Sequence, residues 1–138
     1  METYKLNKER RAFGVQVKNF PSGIGQAFES LVKMFPKGDN RSYFGIFRMG
    51  ENGNMIYYAT AEEKFAGEAE KYKCDVHIVE KGTYLTEAIH NWREKTDSIQ
   101  DVFRELTRDP RADRTKPGVE WYKDDKNMLC MVRSIHQD

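Results

Sequence analysis

The residues best suited to chemistry are a glutamate and a tyrosine two positions apart, Glu120 and Tyr122, near the end of the chain. They lie in the segment 119–122, whose apolar and aromatic residues are typical of a β-strand, and alternate side chains of a strand point to opposite faces. Glu120 and Tyr122 therefore share one face, and Val119 and Trp121 share the other. We expect Val119 and Trp121 to pack under a helix, while Glu120 and Tyr122 face a cleft.

A carboxylate in such a cleft is suited to binding an organic cation. Shielding from water strengthens its attraction for a positive charge, and each aromatic face beside it adds about 0.5–2 kcal/mol. Phe, Trp and Tyr make up 12% of the chain, and we expect Tyr43, Tyr58 and Trp92 to form walls beside Tyr122. The simplest alternative is that Glu120 is a solvated strand residue and the rings belong to the core, because exposed glutamates greatly outnumber buried ones.

The same two residues also permit a catalytic hypothesis. Burial would raise the pKa of Glu120, and a Glu–Tyr pair can then act as a general acid or base. Such a pair could add water to a strained or reactive small molecule, so a hydrolase is the alternative function. His77, His90 and His136 lack metal-ligand spacing, and the sequence has no nucleophile elbow or phosphate loop. We therefore expect neither a metal nor a cofactor.

Composition narrows the remaining classes of function. The chain has 138 residues, about the size of one domain, and a formal charge of +1. Neither half has the basic excess that binding to a phosphate backbone requires. No apolar run approaches the roughly 20 residues of a membrane span, and the first residues do not resemble a signal peptide. We expect a soluble cytoplasmic protein in which Cys74 and Cys130 are reduced core residues.

The elements that must position Glu120 occur twice along the chain. Each half contains an amphipathic helix and a hairpin, and the hairpins are predicted at 43–49 with 54–61 and at 119–123 with 128–133. The charged run 62–73 is expected to be a solvated connection between the halves. The same residue types recur in the two helices, 75 positions apart. They are Ile24, Phe28 and Leu31 in the first helix and Ile99, Phe103 and Leu106 in the second.

This pattern predicts an α+β fold made of two pseudo-symmetric halves, at about 10–64 and 72–136, within a single domain of residues 1–138. Each half has the order strand, helix, strand, strand. Neither half is large enough to bury one face of its own sheet, so we expect the strands to join in one curved antiparallel sheet with both helices on one face. The other face should stay partly uncovered, with a central ligand cleft between the halves.

The order of these elements resembles the GyrI-like small-molecule-binding domain, over residues 10–136 or so. Four short motifs carry the resemblance, and they lie at 44–46 (Phe-Gly-Ile), 57–59 (Tyr-Tyr-Ala), 81–84 (Lys-Gly-Thr-Tyr) and 119–122 (Val-Glu-Trp-Tyr). The family includes the effector-binding domains of AraC-type and MerR-type transcription regulators, together with stand-alone versions.

The resemblance implies a cleft that binds bulky, often cationic, aromatic compounds. In such domains a glutamate of the last hairpin meets the positive charge of the ligand. By their matching positions, the implied ligand-binding residues are Glu120, Tyr122, Trp92, Tyr58 and Tyr43, with Tyr57 as the alternative to Tyr58.

The regulators of this family also carry a helix-turn-helix domain, for which this chain has no room, so the resemblance implies a stand-alone version. Stand-alone versions include sequestering or toxin-antagonist proteins and a branch that resembles hydrolases of cyclopropane-bearing genotoxins. The expected partner is therefore a small hydrophobic or cationic ligand, without direct contact to nucleic acid or membrane. A surface that inhibits a partner enzyme is a third hypothesis.

Overall fold

The computed structural model describes residues 1–137, so Asp138, the last residue of the predicted domain, lies outside the described residues. Over this range the chain forms an eight-stranded antiparallel sheet with three α-helices. In chain order the elements are β1 (Glu2–Leu6), β2 (Arg10–Gln16), α1 (Ile24–Lys33), β3 (Tyr43–Met49), β4 (Met55–Glu62), α2 (Glu68–Lys71), β5 (Asp75–Val79), β6 (Gly82–His90), a 3₁₀ turn (Trp92–Glu94), α3 (Thr96–Arg108), β7 (Gly118–Tyr122) and β8 (Asn127–Arg133).

The strand order of the sheet confirms the predicted α+β fold. It runs β1-β6-β8-β7-β3-β4-β2-β5, so β3 and β7 pair at the centre and join the two sets of strands. The short strand before each set pairs with the other set, because β1 lies beside β6 and β5 lies beside β2. The order strand, helix, strand, strand occurs on both sides of the centre, and an internal duplication of the sequence stays a prediction.

Both long helices pack on the same face of the sheet, as predicted. Leu31 of α1 packs on Tyr57 and Ala59 of β4. Phe103 of α3 packs with Cys130 of β8, and Cys130 lies in the same cross-strand row as Ala59. The central strands β3 and β7 therefore run between the two helices. We refer to the region above these strands, which aromatic side chains occupy, as the slot.

The assignment of Val119 and Trp121 to the helix-bearing face was wrong. Both belong to a cluster of ten buried residues on the opposite face, to which no helix contributes. The sheet curls, so that its edge strands bring Leu6 and Val79 over the central strands. The face expected to stay partly uncovered is thereby filled, and the side chains of Glu120 and Tyr122 lie on the helix side. The cluster consists of Leu6, Ala12, Phe44, Ile46, Val79, Tyr84, Val119, Trp121, Leu129 and Met131.

The connection 62–73 is not uniformly solvated, because it contains the short helix α2. Its first residue, Glu68, is buried and accepts two hydrogen bonds from the Arg41 guanidinium, at 2.9 and 2.8 Å. The Arg41 guanidinium also lies 3.7 Å from the ring centre of Phe35. This buried ion pair attaches α2 to the segment between α1 and β3, and it lies away from the slot between the helices.

Candidate ligand-binding site

Glu120 lies at the base of the slot, in the middle of a cross-strand row. Across the sheet the row reads Ala59, Gly45, Glu120 and Cys130, one residue from each of β4, β3, β7 and β8. The Glu120 residue is only 7% exposed. Glu120 is therefore not a solvated strand residue, although Tyr43, Trp92 and Tyr122 do pack against the hydrophobic core, as the simplest alternative supposed.

Two tyrosine hydroxyls, one from the strand of Glu120 and one from β4, hold the Glu120 carboxyl group. Tyr122, two residues along the same strand, donates to Oε1 at 2.9 Å. Tyr57 of β4 donates to the same oxygen, and its ring is fully buried. Within residues 1–137, no basic side chain forms a salt bridge or hydrogen bond with Glu120. The carboxyl group is thus buried with hydroxyl partners alone.

Gly45 makes this arrangement sterically possible. It lies directly opposite Glu120 in the pairing of β3 with β7. A Cβ atom at position 45 would overlap both the Tyr57 hydroxyl and Glu120 Oε1. The hydroxyl and the carboxyl group meet in the space that a side chain on β3 would otherwise occupy. Gly45 is the middle residue of the 44–46 motif, although the sequence alone did not indicate its role.

Burial controls the ionisation of this cluster. Removal from water raises the pKa of Glu120 above its ordinary 4.5, and the hydrogen bonds from Tyr57 and Tyr122 oppose that rise only in part. Burial and the nearby carboxylate raise the pKa of Tyr57 and of Tyr122 above the usual 10. Both phenols therefore remain neutral hydrogen-bond donors at physiological pH, and Glu120 is the group that can change charge.

Aromatic side chains from both halves pack around Tyr122, which donates a hydrogen bond to Glu120. The ring of Tyr122 lies between Phe28 of α1, at 5.5 Å between ring centres, and Trp92 of the 3₁₀ turn, at 4.7 Å. Tyr43 extends this layer by an edge contact with Phe28 at 6.4 Å. The Trp92 indole donates from Nε1 to the carbonyl oxygen of Asp124 at 3.0 Å, which fixes the ring over the β7–β8 turn.

A second set of rings borders Tyr57. Phe47 of β3 stacks against Tyr57 with ring centres 6.3 Å apart and meets Phe103 of α3 at 4.8 Å. Phe20 packs against Tyr57 at 5.5 Å and remains 40% exposed. Sequence reasoning missed Phe20, Phe28 and Phe47 as site residues because their apolar character and spacing equally suit a core.

The predicted site residues do not all meet. Tyr122 bonds to Glu120, and Trp92 and Tyr43 belong to the ring layer around Tyr122. Tyr58 instead lies on the opposite face of the sheet, where it packs on His77 with ring centres 4.2 Å apart. Tyr57 occupies the position expected for Tyr58. Adjacent residues of a strand point to opposite faces, so only one of this pair can share the face of Glu120.

The site is an aromatic-covered carboxyl group rather than an open groove. The described chain, residues 1–137, contains no group of three His, Cys, Asp or Glu side chains arranged to hold a metal ion. Over the same residues, every helix is too short or too polar to cross a lipid bilayer. The groups that the structure brings together at this site are one carboxyl group, two phenols and the rings around them.

Comparison with known proteins identifies the fold but not a family. The sequence matches no family model and no curated protein. Among solved structures, an integron cassette protein from the mobile metagenome of Vibrio cholerae, VCH_CASS2, has a TM-score of 0.69 at 12% identity, over 96% of this chain and 94% of its own.

Two further structures share the fold. The structure of SAV2435 bound to tetraphenylphosphonium has a TM-score of 0.65 at 12% identity, over 96% of this chain and 92% of its own. A protein of Staphylococcus aureus MU50, named for bacterial transcription regulation, has a TM-score of 0.57 at 14% identity, over 96% of this chain and 97% of its own. All three fit the GyrI-like fold that the sequence resembles.

Replacing Glu120 with glutamine should stabilise the protein increasingly as the pH rises. A raised pKa in the folded state means that the fold favours the protonated carboxyl group. The contribution of protonated Glu120 to the free energy of unfolding is therefore lost as the pH rises through that pKa. Glu120→Gln remains neutral at every pH. We expect melting temperatures measured from pH 4 to pH 8 to diverge in favour of the variant, whereas Glu51→Gln in an exposed turn follows the wild type. A difference that does not change with pH would contradict the burial argument.

Gly45→Ala should destabilise the fold because its methyl group overlaps the Tyr57 hydroxyl and Glu120. Overpacking of this kind costs about 1–3 kcal/mol in the free energy of unfolding. Gly25→Ala is the matched control, since a Cβ atom there meets nothing within 4 Å and alanine favours the helix. Urea denaturation measures both variants, and equal stability of Gly45→Ala and the wild type would disprove the steric role.

Proposed function

We propose that this chain binds a hydrophobic aromatic cation in the slot between α1 and α3, with the charge of the ligand above Glu120. The observation that carries the proposal is a buried carboxyl group that has two tyrosine hydroxyls as partners and no basic side chain. Structural carboxylates in protein interiors are normally paired with a cation. A carboxyl group held in this way is suited to a positive charge that arrives with a ligand.

The electrostatic gain is large enough to drive recognition. Two unit charges 4 Å apart attract by about 4 kcal/mol at an effective dielectric constant of about 20. Faces of Tyr122 and Trp92 add about 0.5–2 kcal/mol each when they stack on a cationic or aromatic group. Tyr57 and Tyr122 keep the carboxylate oriented, so the Glu120 side chain loses little conformational entropy when the ligand binds.

Access to Glu120 requires the aromatic cover to separate. Phe28 belongs to α1 and Trp92 to the turn before α3, so the cover is formed by two separate elements. Rings of the ligand can replace the contacts that Phe28 and Trp92 make with Tyr122. The fold shared with SAV2435, whose structure contains tetraphenylphosphonium, supports this kind of ligand. We propose that the chain acts as a binding protein for such a ligand.

Tetraphenylphosphonium provides a direct test. Its charge is permanent, so binding requires ionised Glu120, and affinity should increase with pH until the raised pKa of Glu120 has been passed. Isothermal titration calorimetry at a series of pH values measures this dependence. Glu120→Gln should bind at least about tenfold more weakly, because a charge–charge attraction of more than 1.4 kcal/mol is lost, and should show no dependence on pH. Glu51→Gln is the control, and equal binding by Glu120→Gln would remove the carboxylate from the mechanism.

A hydrolase acting on a strained electrophile is the second candidate. It is favoured by the hydrogen bond from Tyr122 to a carboxyl group whose pKa is raised by burial. The neutral form of Glu120 can protonate a ring carbon as a strained bond opens, and its anionic form can take a proton from the attacking water. The neutral Tyr122 hydroxyl can stabilise charge on the carboxylate or on the substrate.

A cyclopropane-bearing alkylating agent tests this activity by mass spectrometry. A hydrolase yields a product heavier by one water molecule, and the added oxygen carries the label in oxygen-18 water. General acid–base catalysis contributes about 10²–10⁴ in rate, so Glu120→Gln and Tyr122→Phe should lose about that factor. Glu51→Gln should retain the activity. Absence of a hydrated product, or product formation that is equal in the variants, would exclude this candidate.

A further inference from the structure

The two tyrosine hydroxyls at the site bond to the same oxygen of Glu120. Tyr57 and Tyr122 both donate to Oε1, although they approach from different strands. A carboxylate oxygen has two lone pairs in the carboxylate plane, and four such positions serve the whole group. The hydrogen-bonding capacity of Oε1 is therefore used within the protein.

The other oxygen, Oε2, accepts no hydrogen bond from residues 1–137. Glu120 as a whole remains 7% exposed, whereas His77 Nε2 and Trp121 Nε1 are buried side-chain atoms of the described residues that lack a hydrogen-bond partner. Glu120 thus has one oxygen whose hydrogen-bonding capacity is used by the protein and one oxygen that is free to accept a hydrogen bond from a ligand. The space that Gly45 leaves is occupied by Oε1 and the Tyr57 hydroxyl, and the Tyr122 hydroxyl donates to the same oxygen.

We infer that the ligand is a protonated amine attached to an aromatic ring system, which donates a single N–H to Glu120 Oε2. This inference rests on the proposed function and specifies its ligand class. A quaternary ammonium or a phosphonium ion has charge but no N–H, so it leaves Oε2 without a donor. A charge-assisted hydrogen bond is about twice as strong as a neutral one, and only the amine can form it.

The same geometry disfavours guanidinium groups. Guanidinium binds a carboxylate best as a fork, with two parallel N–H donors on the two oxygens. In this site one prong would have to displace the hydroxyl of Tyr57 or Tyr122 from Oε1. A displaced hydroxyl would remain buried without an acceptor, which is costly. An ammonium needs one oxygen alone, and Glu120 offers one.

Three probes that share a tricyclic aromatic ring system test the inference on the wild-type protein. Their propyl chains end in a dimethylammonium, a trimethylammonium or a guanidinium group, so hydrophobicity and charge are nearly matched. Calorimetry at pH 7.5 should give the dimethylammonium probe the lowest dissociation constant. We expect an advantage of about tenfold over the trimethylammonium probe, as for the gain of one charge-assisted hydrogen bond, and a similar advantage over the guanidinium probe.

Two variants connect the preference to the individual oxygens. Glu120→Gln should remove the preference for the dimethylammonium over the trimethylammonium probe. Tyr122→Phe removes one of the two donors to Oε1, so the guanidinium probe should gain affinity relative to the dimethylammonium probe by several-fold. Tyr4→Phe, on the opposite face of the sheet beside Trp121, is the matched control and should leave the order of the three probes unchanged.

The outcomes separate this inference from the proposed function. Equal affinity for the dimethylammonium and trimethylammonium probes, with both lost in Glu120→Gln, would overturn the N–H contact while the cation site remains. A guanidinium probe that binds best to the wild type would overturn the assignment of a single free oxygen. Failure of all three probes and of tetraphenylphosphonium to bind would overturn both proposals.

Discussion

A carboxyl group buried at the centre of the sheet without a basic partner is the constraint on which the rest of the site depends. Ionised Glu120 in such a place would cost several kcal/mol unless donors or a counter-charge compensated it. Tyr57 and Tyr122 supply donors but no charge, and Gly45 supplies the space in which they meet. The three residues come from three adjacent strands, so the pairing of β4, β3 and β7 must be in register before the site exists.

The position of the slot follows from how the two halves join. Each helix packs on strands of its own half, α1 on β4 and α3 on β8 and β6. The halves meet through β3 and β7, where Phe28 of α1 contacts Tyr122 and Phe103 of α3 contacts Phe47. The residue at the middle of that seam on the helix side is Glu120. Rings from both halves then close over it. Any change in the angle between the halves would move Phe28 relative to Trp92, and so would alter access to the carboxyl group.

Most of the strands and both long helices could be predicted from alternation and helical spacing, which are local properties. Alternation also showed that Glu120 and Tyr122 share a face. It could not show which face the helices cover, because that depends on the curl of the sheet and on edge strands that exchange between the halves. The choice between Tyr57 and Tyr58 failed for the same reason, since it requires the register of β4 on β3. Gly45 lies in a motif of the sequence, yet its steric role can be recognised only once Glu120 is known to lie opposite it on β7.

The aromatic cover makes charge the basis of selection. Separating Phe28 and Trp92 from Tyr122 sacrifices ring contacts worth about 0.5–1.5 kcal/mol each, and every ligand that reaches Glu120 must offset that loss. A neutral aromatic molecule can replace the ring contacts but leaves the carboxyl group without a counter-charge. A cation of the same shape replaces the contacts and also stabilises the ionised carboxylate, by about 4 kcal/mol at 4 Å. Opening the cover therefore costs every ligand the same free energy, and the attraction of the buried carboxylate for a positive charge determines which ligands bind in spite of that cost.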